Sequence, residues 1–204
     1  MTPDTRVLDG ATPLDPDESE GLIPRHIATR GELNEAEEAN IARGFAWGLK
    51  VLRRRDVLSE SFVYDLHARM FGDVWGWAGA VRRSNKNIGI DRFRVRMAVR
   101  DLMADAAAWR EGSVYVPDEA AVRLHHRLVW IHPFPNGNGR HARMMADLYM
   151  VRERRRPLPW GPLADTGALR AAYVSALRAA DRDDYRPLLE FARGSARERP
   201  VRQK

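Results

Sequence analysis

The chain contains no cysteine. Disulfides and thiolate metal sites are therefore excluded. No stretch approaches the roughly 18 apolar residues that a membrane-spanning helix needs. The opening Met1-Thr2-Pro3-Asp4-Thr5 lacks the basic-then-apolar order of a secretory signal. Internal repeats and low-complexity runs are also missing. A cytoplasmic protein with no membrane partner is the expectation. Zinc-finger spacing is absent, and so is the alternation of aromatic and basic residues that marks nucleic-acid surfaces. The net charge of +6, concentrated near Arg53-Arg54-Arg55, Arg152 to Arg156 and Arg193 to Lys204, then reads as solvated helix ends. A nucleic-acid partner is not expected, although such cationic faces also suit an acidic protein.

What is present suffices for one domain: 204 residues, 44% hydrophobic and 30% charged. Residues 1–33 carry Pro3, Pro13, Pro16 and Pro24 and read as an extended arm packed on the domain. Residues 34–194 form the domain proper, and 195–204 a basic tail. Asn34 and Glu37 match a capping box opening a helix, with Ile41, Phe45, Leu49 and Leu52 on one face. A second helix starts near Ser59 with Phe62, Leu66 and Met70 inward, and runs into an aromatic corner at Trp75, Trp77, Ala78 and Gly79. Between Val81 and Val95, Ile88-Gly89-Ile90 and Phe93-Arg94-Val95 alternate with period two around a turn-like Ser84-Asn85-Lys86-Asn87. This predicts one short β-hairpin. Helical spacing resumes at Val99, Leu102, Met103 and Ala106, then from about Asp118 through Leu124, Leu128 and Ile131. Further helices are predicted from Asn138, ended by Pro157 and Pro159; from a Thr166 cap; and through Leu188 and Phe191 to Gly194. The fold class is all-α: a helical bundle with one short β-hairpin.

Chemistry concentrates in Ile131-His132-Pro133-Phe134-Pro135-Asn136-Gly137-Asn138-Gly139-Arg140-His141-Ala142-Arg143. A helix that starts at Asn138 leaves its first amides without helical partners, at the positive end of the helix dipole, where an anion can bind. Glycines at 137 and 139 let phosphate oxygens approach the backbone. Asn138 can cap the helix. Arg140 and Arg143, three apart, share a face and suit forked contact with one polyphosphate. His132, just before the loop, can take a proton from an attacking hydroxyl. Phe134 plugs the loop into the core. His125, His126 and His141 read as satisfied structural histidines.

His132-Pro133-Phe134-x-x-Gly137-Asn138-Gly139-Arg140-x-x-Arg143 resembles the signature of the Fic/Doc family. Trp77-Ala78-Gly79-x-x-Arg82 resembles that family's entry into a hairpin flap. The likeness covers roughly residues 35 to 193. Gly21-Leu22-Ile23-Pro24 before Gly31-Glu32-Leu33-Asn34 resembles the subgroup called mobile mystery protein B.

The resemblance implies a Fic-type helical core and transfer of AMP from ATP to a Ser, Thr or Tyr hydroxyl of a target protein, in the setting of a toxin component. It makes His132 the general base. Gly137, Asn138 and Gly139 would cradle the α- and β-phosphates, with Arg140 on the β- and Arg143 on the γ-phosphate. The flap, with Arg82, Ile88, Gly89, Ile90 and Phe93, would dock the target by main-chain pairing. Asn136 stands where the family most often has the carboxylate that holds Mg²⁺, so the metal would be held weakly or through water. Two alternatives stay open: an ATP-binding regulatory module with weak or altered transferase activity, and a Doc-like kinase. The family's inhibitory pattern has only a near match at Thr5-x-x-x-Asp9-Gly10. The implied partners besides the target are an antitoxin-like inhibitory protein and a second copy of the chain.

Overall fold

Thr29 opens the first helix. Its side chain accepts the Glu32 amide while the Glu32 carboxylate accepts the Thr29 amide, a reciprocal capping box that starts α1 at Arg30–Val51. The sequence placed this box at Asn34 and Glu37. The actual start lies about one turn earlier, which releases Glu37 from capping. The computed structural model describes residues 21–24, 26–27, 29–160 and 167–194. The near match to the inhibitory pattern at Thr5–Gly10, most of the proline-rich arm, the Thr166 cap and the basic tail lie outside them.

Ser59 caps α2, Glu60–Phe71, through the Phe62 amide, and buries Phe62, Val63, Leu66, His67, Met70 and Phe71. A 3-10 turn at Arg92–Arg94 leads into α3, Val95–Glu111. Pro117, at the first position where its missing N–H costs nothing, starts α4, Pro117–Ile131. The remaining helices are α5, Asn138–Arg152; α6, Gly167–Ala180; and α7, Arg186–Ala192. α1 packs on α2, α4 on α5, α3 on α4 and α6 on α7, so α5 lies between the two sides of the bundle. One core runs through them, including Phe62, Leu66, Met70, Leu128, Ile131, Phe134, Met145 and Leu148, all essentially inaccessible. The described part of the arm lies on the aromatic corner. Leu22 pairs with Trp75 in an isolated antiparallel bridge, and the Ile23 amide reaches the Val74 carbonyl at 2.9 Å.

The expected β-hairpin is not a strand pair. Among the described residues no β-strand forms between 81 and 95. The alternation is real, because exposure alternates from Arg83 through Ile90 with the even-numbered residues turned inward. What holds the segment is a side chain. The buried Arg82 guanidinium donates to the carbonyls of His132 at 2.7 Å, of Ser84 at 2.7 Å and of Ile90. Asn85 closes the far end, its carbonyl oxygen accepting the Arg92 amide at 2.8 Å. The Ser84 and Ile90 carbonyls are thus held by Arg82 in place of a cross-strand ladder. Among the described residues no helix is long and apolar enough to cross a membrane.

Candidate active site

The site is the join between α4 and α5. His132 closes α4 in the left-handed conformation (φ 55°, ψ 61°), which turns the chain sharply into the loop. Its Nδ1 lies 3.3 Å from the Val129 carbonyl. A carbonyl only accepts, so Nδ1 carries the proton and the basic lone pair is on Nε2. Burial pushes the imidazole down to about 4, helped by Arg82 and Lys86 and opposed by the Val129 carbonyl. The ring is therefore neutral at physiological pH.

The loop is tied by backbone-directed side chains. Asn138, buried, accepts the Phe134 amide at 2.9 Å and donates to the Phe134 carbonyl at 2.8 Å. It staples the loop and does not cap the helix. The N-cap is Gly137, at φ 76°, and no side chain caps that end. A Cβ on Gly137 would lie 2.6 Å from the Phe71 ring. Glycine is required there on both counts. Gly139 differs: a Cβ there would meet only the Tyr173 hydroxyl, at 3.9 Å. Space is therefore left beside Gly139 in the first turn of α5, while Gly137 and Asn138 are buried.

His67, which the sequence reading passed over, fixes the loop from below. Its Nδ1 accepts the Gly79 amide at 2.9 Å, so its proton is on Nε2, 3.0 Å from the Asn136 carbonyl. The ring stacks on Phe134 at 3.7 Å between centroids. Burial, with His141 and Arg140 nearby, holds it well below the ordinary histidine value. The signal was in the sequence: a histidine on the apolar face of α2, on the side of the Trp77-Ala78-Gly79 corner.

The two arginines flank the opening from opposite sides. Arg140 donates to Glu37 at 2.6 Å and lies over the Phe71 ring at 4.9 Å. Glu37 also accepts the Trp75 indole N–H at 2.7 Å. Arg143 leans the other way, its guanidinium carbon 4.8 Å from the Tyr173 ring centroid, with its Nε buried and lacking a hydrogen-bond partner. One helical turn on, burial raises Asp147 to about 6, and this carboxylate accepts the Leu158 amide and the Trp160 indole N–H. His126 and His141 do behave as satisfied histidines, bonded to Asp181 and Tyr185, and to the Val63 carbonyl. His125 does not: its Nδ1 is buried without a partner.

Arg82 lies under the 82–95 segment, while Phe93 on its outer side is 79% exposed. Gly89 passes directly over the histidine, since a Cβ there would fall 2.6 Å from the His132 Cβ. The residues at the loop do not build a Mg²⁺ site. Asn136 Oδ1 already accepts the Gly137 amide at 2.5 Å, and among the described residues no three His, Cys, Asp or Glu side chains gather to hold a metal.

A family model described as "Fic/DOC family" matches residues 57–150, the stretch from the end of the α1–α2 connection to the end of α5. That stretch is similar to the Fic/DOC family. The adenylyltransferase fic-1 of Caenorhabditis elegans is 28% identical over 143 residues, covering 68% of this chain and 27% of that protein. A uridine 5'-monophosphate transferase of Xanthomonas campestris is 33% identical over 95 residues, 43% of this chain and 17% of the other. The chain thus spans about a quarter or less of the length of these curated relatives. The solved structure of C. elegans Fic-1 superposes with a TM-score of 0.61 at 23% identity, covering 87% of this chain and 53% of that one. BepC of Bartonella tribocorum, solved with bound AMPPNP, gives 0.62 at 14% identity, covering 86% and 95%. These superpositions establish a shared Fic fold.

Proposed function

We propose that the protein transfers AMP from ATP to a hydroxyl of a target protein. The observation that carries this reading is His132: a buried, neutral imidazole with Nδ1 turned to Val129, in the loop that leads into the N-terminus of α5, where space is left beside Gly139. Nε2 takes the proton of the acceptor hydroxyl as its oxygen attacks the α-phosphorus. The bond from that phosphorus to the oxygen bridging to the β-phosphate breaks, and pyrophosphate leaves. The amides of the first α5 turn and the guanidinium groups of Arg140 and Arg143 receive the charge that develops on the phosphates, and the rigid loop keeps donors in place before reaction. The named activity of fic-1 supports this chemistry, and the uridylyl-transferring relative shows why the base must be tested separately. Phosphate-gripping groups do not distinguish adenine from uracil. Asn136 brings no carboxylate with which to hold Mg²⁺ beside the phosphates.

The test supplies ATP or UTP, labelled at the α-phosphate, to the protein and a bacterial lysate. Label from ATP is expected in protein, and His132→Ala is expected to abolish it while ATP still binds. In a parallel reaction with ATP labelled at the γ-phosphate, label reaching protein there and not from the α-phosphate would replace this reading with a kinase. ATP binding without transfer under every divalent cation would replace it with a regulatory module.

A further inference from the structure

α6 lies outside the matched family stretch, yet it delivers one side chain to the opening of α5. Tyr173 Oη is the atom nearest the space above Gly139, at 3.9 Å from a Cβ built there. Its ring lies against the Arg143 guanidinium at 4.8 Å. Behind it, Oη is 3.0 Å from Nε2 of His125, a fully buried ring that packs against Trp160 at 4.6 Å. Two buried polar atoms in this cluster, His125 Nδ1 and Arg143 Nε, have no partner.

Burial, with Arg143 and His126 nearby, holds His125 well below the usual histidine value against the Ala142 backbone, so the ring is neutral. With its proton on Nε2, the ring donates to Tyr173 Oη. The Tyr173 hydroxyl hydrogen is then left to donate elsewhere. Burial raises the phenol above its ordinary value, so that hydrogen is retained.

We infer that Tyr173 is a further phosphate-binding residue, its hydroxyl donating to an oxygen at the β,γ end of the nucleotide beside Arg143, with His125 as the positioning residue behind it. This rests on the reading that a triphosphate binds at the start of α5. It extends that reading to a helix, a residue type and a part of the ligand that the motif does not contain.

Calorimetric titration of the full chain with ATP, ADP and AMP tests it, comparing wild type with Tyr173→Phe. A hydrogen bond to a charged phosphate predicts that Tyr173→Phe weakens ATP roughly tenfold and leaves AMP unchanged. His125→Leu is expected to weaken ATP in wild type and to add nothing in the Tyr173→Phe background. Should either variant misfold, 3-fluorotyrosine at position 173 of the otherwise wild-type chain supplies a second measurement. Its fluorine resonance is expected to shift on adding inorganic tripolyphosphate and to stay put with AMP. Equal ATP affinity in wild type and Tyr173→Phe, equal losses for ATP and AMP, or an unmoved fluorine signal at saturating tripolyphosphate overturns the inference alone. If wild type binds neither ATP nor tripolyphosphate, both this inference and the proposed function fall.

Discussion

At the scale of single residues, His132 sets the pH behaviour of the proposed transfer. An unperturbed histidine would lose its basic form near pH 6.5. Here the acid limb of kcat/KM is expected near pH 4, as far as the fold persists, because burial has already lowered the ring to about that value. A pH–rate profile on a responsive protein target checks it; a limb at 6.5 would mean the ring is hydrated in the working enzyme. Gly137 gives a second prediction. Adding a methyl group there combines a left-handed φ of 76° with a 2.6 Å approach to Phe71. Gly137→Ala should cost about 1–3 kcal/mol of unfolding free energy, measured by urea denaturation, and weaken ATP by displacing the first amides of α5. A third concerns Asn136. Its side-chain oxygen is taken by the Gly137 amide, so ATP binding by the wild type should change little when EDTA replaces Mg²⁺. Asn136→Asp should make binding markedly metal-dependent, because a carboxylate is the oxygen Mg²⁺ prefers.

At the scale of elements, the join between α4 and α5 was readable because its sequence carries helix-boundary chemistry: an apolar run, a proline pair, then Gly-Asn-Gly. The start of α5 at Asn138 falls where the spacing placed it. The start of α1 was misread because Asn34 and Glu37 satisfy the same spacing rule as Thr29 and Glu32, and spacing alone does not choose between two overlapping boxes. The consequence was functional as well as geometric, since Glu37 became the partner of Arg140. The 81–95 segment was misread for a different reason. Period-two alternation reports which side of an extended chain is buried, not whether another strand pairs with it. Arg82 supplies the support from within, a long-range arrangement of donors and carbonyls that no local pattern encodes. Tyr173 and His125 were illegible as a pair, because residues 48 positions apart meet only once α4 and α6 have packed.

At the scale of the whole molecule, titration of the interior sets acid stability. His67, His125, His132 and His141 are all lowered by burial. The unfolded chain binds protons at these positions that the folded chain refuses, so each contributes stability present above about pH 6.5 and lost as pH falls below it. Asp147 runs the other way. Its folded value of about 6 lies above the ordinary carboxyl value of 3.8, so its contribution grows as pH falls through 6 toward 4. Five lowered histidines, His126 among them, against one raised carboxylate predict a thermal midpoint that drops between pH 7 and pH 5. A calorimetric series across that range checks the sign.

The near-contact between Gly89 and His132 gives the proposed chemistry a built-in gauge. A target strand lying on the outer surface of the 82–95 segment would hold its alcohol at one height above the imidazole, because no side chain separates that ledge from the ring. A methyl group added with Gly89→Ala would meet the His132 Cβ at 2.6 Å on a backbone already at φ 94°, driving ledge and imidazole apart. Alcohol and base would then part company while the groups that grip phosphate stay as they are, a loss written in length and not in affinity.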